Sequence, residues 1–299
     1  MPRLPSFLVV LATYLFAGAV AFVTGWLCWG LMHPLLVALV ADVTATLAVW
    51  LVSLGVRNAS VYDPYWSVAP VPLAWFFLWV PLEAPVDPIR PVLVLLVLGV
   101  WAVRLTGNWA TGWTGLAHVD WRYKQLARQT GALYPLVNLV GIQLFPTLLV
   151  YVGCLALWPA LRSGTPVGWL DGVAVLVGLG AVAVEAIADL QMRAFVRNRS
   201  DAAAVMDRGL WGWSRHPNYL GEIGFWFALW LFALATGLDA AWTAVGWVAM
   251  VLLFVFISIP MMEKRQLDRK PGYADVRRRV PMLLPWRIPS RRASGPEGS

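Results

Sequence analysis

Charge is scarce in this 299-residue chain: Asp, Glu, Lys and Arg make up 13% of it, against roughly 25% in a soluble domain. That shortage excludes an ordinary water-exposed fold, and a mean hydropathy of +0.67 places the chain in a bilayer. Cysteine is rarer still. Cys28 and Cys154 both lie in apolar runs, which excludes a disulfide framework and leaves them as packing residues. The three histidines, His33, His118 and His216, stand in separate segments with no Cys or carboxylate at ligand spacing, so no metal site is expected. No phosphate loop, nucleophile elbow or internal repeat is present. Gly178 and Gly180 resemble part of a dinucleotide fingerprint, but no strand precedes them and helix packing is their expected role.

What the chain has is apolar length. Stretches near the roughly twenty residues needed to span hydrocarbon occur at 7–31, 35–56, 66–83, 91–110, 134–160, 167–189, 219–237 and 241–262. The expected fold is therefore an all-α polytopic bundle of about eight transmembrane helices. Lys and Arg mark the cytoplasmic side. Placing the N-terminus there puts every basic residue except Arg90, Arg104 and Arg162 in segments on that side, so both termini are expected in the cytosol. The net charge of +7 then reflects topology and attraction to anionic lipid, not nucleic acid. Arg3 ahead of an apolar run, with Ala17-Gly18-Ala19 as a cleavage-like site, also fits a signal peptide, but the run continues to Leu31 and favours a retained helix. Residues 1–286 are expected to form one membrane domain, followed by a disordered tail, 287–299.

Polar residues gather in a few segments assigned to that one side, as a single cytosol-facing site requires. In "EAIADLQMRAFVRNRS", Glu185, Asp189, Arg193 and Arg197 recur every four positions and so share one helix face. Carboxylates at that depth are expensive and normally face the bundle interior, which marks Glu185 and Asp189 as functional candidates. In "LWGWSRHPNYLGE", Pro217 suits the first turn of a helix beginning near His216. Its N-terminal N–H groups, with Arg215 and His216, make an anion site. Arg215, Tyr219 and Glu222 follow at i, i+4 and i+7, with Asn218 four before Glu222. A phosphate at the mouth and an amide- or ribose-bearing group deeper in would satisfy them. A helix cap with interfacial aromatics is the plainer alternative.

Taken in order, "YDPYWSVAP", "RLTG…DWRY", "ADLQMRAF", "GLWGWSRHPNYLGEIGFW" and "EKR…YADVRRRVPMLLPW" resemble the motifs of the membrane reductases that include steroid 5α-reductases and sterol C14 reductases. Within that group the resemblance is to the bacterial DUF1295 proteins, and it runs from about residue 57 to 286. It implies NADPH bound from the cytosolic side, with its diphosphate near the Arg/His cluster and its nicotinamide reaching into a membrane cavity. It implies Arg193, Arg215, His216, Asn218, Tyr219 and Glu222 as cofactor residues, with Asp189 beside them. Hydride delivery to an activated C=C also needs a group that polarises the carbonyl or protonates the neighbouring carbon. Asp63, Tyr65 and Tyr123 are the candidates, because they lie in the cytoplasmic-end motifs and can donate. Interfacial anchoring is the alternative for Tyr65 with Trp66, and a structural ion pair is the alternative for Asp120 with Arg122.

Two features depart from those relatives. Steroid reductases carry a Gln-Glu pair in an early helix that supports carbonyl activation, and no such pair occurs here. Val276 also stands where an aromatic is common. Isoprenylcysteine carboxyl methyltransferases share the Arg-His-Pro-x-Tyr signature with S-adenosylmethionine as cofactor, whereas Asn218 and Glu222 suit nicotinamide and ribose better. A non-catalytic lipid-binding protein is the third reading; transporters usually carry inverted repeats. The expected activity is NADPH-dependent reduction of a carbon–carbon double bond in a hydrophobic, carbonyl-conjugated lipid that enters from the bilayer.

Overall fold

The computed structural model describes residues 2–82 and 85–284, so the expectation for the tail at 287–299 falls outside the described residues. The described residues contain helices and no strands. The main helices are α1 (Arg3–Cys28), α2 (Pro34–Gly55), α3 (Pro70–Trp79), α4 (Ile89–Gly112), α5 (Trp121–Cys154), α6 (Trp169–Asn198), α7 (Pro217–Leu234), α8 (Leu238–Arg269) and α9 (Tyr273–Arg279). Six of them, α1, α2, α4, α5, α6 and α8, are long and apolar enough to cross a membrane. The apolar runs expected at 66–83 and 219–237 correspond to α3, with 10 residues, and α7, with 18.

Local chemistry sets the ends of these elements. The His33 imidazole accepts from the Leu35 amide (3.2 Å) and Pro34 fills the first helical position, so α2 starts where its amide can be capped. Asp120 caps α5 through the Arg122 amide (2.8 Å). Within α5 the stretch Asn138–Leu144 is π-helical, a rare local widening of the helix.

By its contacts the chain divides into two compact units, Met1–Leu176 with Trp226–Met250, and Val177–Phe225 with Val251–Ser299. In the first, α2 and α5 are joined by buried polar bonds. Thr46 and Thr147 share a hydroxyl bond of 2.8 Å, and Ser53 accepts from the amides of Asn138 and Gln143 at 3.0 Å each. Such bonds hold helices together where lipid removes most of the hydrophobic drive. Trp226 is fully buried against Gly153, edge-on to Trp101 at 5.6 Å. At the loop end of this unit Arg90 and Asp171 are both 0% exposed and paired at 2.7 Å. In the second unit α6 and α7 meet at Gly221, where a Cβ would come within 2.7 Å of the Ala181 carbonyl oxygen.

Candidate functional site

In the first unit the segment 57–69 is held by Asn58. Its amide donates to the carbonyls of Leu116 (2.8 Å) and His118 (2.9 Å), while its oxygen accepts from the Ser60 amide (2.8 Å). Ser60 in turn accepts from the Asp120 amide at 3.1 Å. These bonds bring "YDPYW" against the start of α5, and the Tyr123 hydroxyl donates to Asp63 Oδ1 at 2.7 Å. Desolvation pushes Asp63 up to about 6, against the opposing hydrogen bond from Tyr123 and the nearby Arg122. Asp120 pairs with Arg122 at 2.9 Å as well as capping α5, which is the structural ion pair weighed for these two residues.

Tyr65 does not join Asp63 and Tyr123. Its hydroxyl donates to Asp42 Oδ1 at 2.6 Å, and its ring stacks on Tyr62 with centroids 5.1 Å apart. Asp42 lies on α2, is 6% exposed, and its Oδ2 has no hydrogen-bond partner among the described residues. Both side chains line a cavity of about 1010 Å³ whose other walls are almost wholly apolar. Sequence reading missed Asp42. The available signal was a carboxylate alone in an apolar run, which the cost of burying it marks as functional.

In the second unit two of the residues expected to hold a cofactor, Arg215 and His216, meet on a carboxylate that sequence reading left without a role, Glu263 of "EKR". Arg215 Nε donates to Glu263 Oε1 at 2.7 Å, and His216 Nε2 lies 3.1 Å from the same oxygen. Arg277 Nε lies 3.1 Å from Oε2. Arg215 also ties the chain after α9 in place. Its Nη1 donates to the carbonyls of Arg277 and Val280, its amide donates to the Pro281 carbonyl (2.9 Å), and the Ser214 hydroxyl donates to the Met282 carbonyl (3.2 Å). Arg215 thus precedes the helix and turns toward the tail, while His216 accepts the Leu220 amide through its carbonyl (3.0 Å) and opens α7. The Tyr219 ring stacks on His216 at 5.5 Å and 7°. Burial beside Glu263 pushes the Tyr273 phenol up to about 12.

The other expected cofactor residues belong to this unit too. Glu222 and Glu185 are buried, Asp189 and Asn218 are half-buried, and Arg193 is exposed. Gly221 lets α7 close on the backbone around Glu185. Gln191, also unremarked in the sequence, accepts the Leu210 amide at 2.9 Å and so fixes the approach to the Arg/His cluster. Among the described residues no group of His, Cys, Asp and Glu is arranged to hold a metal ion.

An uncharacterized protein of Schizosaccharomyces pombe is 25% identical over 276 residues, covering 85% of this chain and 80% of its own length. No solved structure matches. The family of proteins of unknown function DUF1295 matches over residues 49–280, a span that takes in Asp63, Tyr65, Tyr123, the Arg215–Glu263–Arg277 cluster and most of the chain, and the chain belongs to it.

Proposed function

We propose that the protein is an NADPH-dependent reductase of carbon–carbon double bonds conjugated to a carbonyl in lipid-like molecules. The observation that carries this reading is the Tyr65–Asp42 pair in the wall of an otherwise apolar cavity, with one carboxyl oxygen lacking a partner among the described residues. In its acid form Asp42 accepts from Tyr65 at Oδ1 and presents an O–H at Oδ2 to a carbonyl oxygen. That is the group on which negative charge develops when the conjugated double bond is reduced, and a donor fixed in apolar surroundings stabilises it strongly.

The second unit fits a dinucleotide diphosphate by its donor chemistry. Two guanidiniums and an imidazole share one carboxylate, beside the N-terminus of the 18-residue α7. Arg215 is spent on Glu263 and on backbone carbonyls, so in this reading it shapes the site. Arg277, with 54% of its side chain exposed, meets the phosphates. Reduced nicotinamide, if bound, would supply the hydride, two electrons with one hydrogen, that the β-carbon needs. Asp42 and Tyr65 would hold the carbonyl oxygen that takes the resulting negative charge, and a proton from water on the α-carbon would complete the reduction. Localisation in a plasma membrane with the nucleotide site facing the cytoplasm belongs to the same proposal.

The test is thermal stability of the purified protein with NADPH, NADH and S-adenosylmethionine. A ligand at a hundred times its Kd adds about 2.7 kcal/mol to stability. NADPH is expected to raise the melting temperature most. Stabilisation by S-adenosylmethionine alone overturns the reductase in favour of a methyltransferase, and no response to any of the three leaves a lipid-binding protein.

A further inference from the structure

We infer that the cavity of the first unit takes an elongated lipid with a single oxygen-bearing head, seated at Asp42 and Tyr65, its chain laid along α1 toward Trp26, Trp29, Trp75 and Trp79. This rests on the reductase reading only for calling that lipid the substrate. The head is placed by chemistry. Asp42 Oδ2 is buried and without a hydrogen-bond partner among the described residues, and the lining contains no Lys, Arg or His to balance a charge. A neutral carbonyl or hydroxyl oxygen meets that need, since an isolated charge in such a lining is costly.

The chain is placed by shape. The lining follows α1 from Tyr14 to Trp29, which at the rise of a helix is about 22 Å, more than one leaflet's share of a hydrocarbon core about 30 Å thick. Tyr14 stands at one end of that length and Trp26 and Trp29 at the other, with Asp42 entering the wall from α2 part-way along. Between them the walls are small: Gly18, Ala21 and Gly25 on α1 face the cavity, as do Ala38, Ala41 and Ala45 on α2. Small residues usually let membrane helices close on each other. Here a Cβ on Gly18 would meet nothing within 4 Å, and one on Gly25 only Val37 Cγ1 at 3.9 Å, so they leave open volume instead. At about 1010 Å³ the cavity lies at the upper end of ligand pockets, roughly 300–1,000 Å³. A compact molecule anchored at Asp42 leaves the tryptophan end empty, whereas a long chain fills it.

The experiment measures Kd by calorimetry for a series of straight-chain α,β-unsaturated methyl ketones of increasing length. Wild type, Gly25→Leu and Asp42→Leu are compared in one detergent, so that partition into micelles cancels in the variant-to-wild-type ratio. Gly25→Leu narrows the cavity part-way along. It is expected to weaken long ketones about tenfold or more, two or so displaced methylenes at about fourfold each, while sparing short ones. Asp42→Leu is expected to weaken all lengths by a common factor. Should Gly25→Leu fail to fold, judged by its melting curve, Ala21→Leu narrows the same wall. Equal weakening of short and long ketones by the wall variant overturns the placement of the tail. No change in either variant overturns the inference altogether, as a groove filled by bulk acyl chains would give. Length-dependent binding without NADPH-dependent turnover removes the reductase reading and leaves the ligand class standing.

Discussion

Arginine is used in two different ways in the two units. In the first, Arg90 is a closed account: its Nε and Nη2 take both oxygens of Asp171 at 2.7 and 3.0 Å, and Nη1 and Nη2 donate to the Thr165 and Pro166 carbonyls. Both partners are fully buried, and the Gly168 amide adds a further donor to Asp171. In the second unit Glu263 is shared by Arg215, His216 and Arg277, and the last of these is half in solvent. A one-to-one pair with its remaining valences spent on carbonyls fastens loops. A carboxylate outnumbered by its donors fixes their positions and keeps an attraction for anions. Counting charges in the sequence does not distinguish the two; their partners do.

The sharpest way to break the contrast is Arg90→Ala. It leaves the Asp171 carboxylate buried without its cation, and a loss of about 3–5 kcal/mol is expected. Denaturant or thermal unfolding measures it, and the double variant Arg90→Met with Asp171→Leu should recover much of the loss. A cost below about 1 kcal/mol for Arg90→Ala would place this pair with ordinary surface bridges.

Arg277→Ala should do the reverse. Its bridge to Glu263 is half-exposed, so stability is expected to move by no more than about 1 kcal/mol. NADPH affinity, by contrast, should fall about tenfold or more, because a charge-assisted bond contributes about 1.5–3 kcal/mol. Titration at low and high salt sharpens the point, since the partly exposed contact is screened and the Arg90 pair is not. A pH-dependent effect is expected at Asp63, whose carboxyl is raised from 3.8 to about 6 in the folded state. Folding then favours the protonated form. Its contribution is complete below the unfolded value and is lost as pH rises from about 4 to about 6. Unfolding of wild type and Asp63→Asn across that window checks it, and a slope that survives the substitution belongs to another group.

The apolar runs were legible because membrane thickness writes itself into the sequence as length. Polar residues near one another in the chain were legible too: His216 and Tyr219 stack as neighbours on one helix turn should. Pairing across the chain was not. Asp63 and Tyr65 look like partners at two residues apart, yet positions i and i+2 do not face each other where the chain is helical. One therefore meets Tyr123, 60 residues on, and the other Asp42, 23 residues back. Arg215 was read as the top of a helical face. Because α7 starts at Pro217, its side chain is free to turn to Glu263, 48 residues away. In both cases the residue missed was a carboxylate whose meaning lay in a donor from a distant segment.

The grip of Arg215 and Ser214 on the carbonyls from Arg277 to Met282 works as a latch on the end of the described chain. The last described helix carries three consecutive arginines, of which Arg277 reaches Glu263 while Arg278 and Arg279 pair with Asp275 and Asp207, and that same stretch is what a trypsin-like protease would cut. If Arg277 meets a nucleotide as proposed, the integrity of this C-terminal strap and the grip on that anion depend on the same hydrogen bonds.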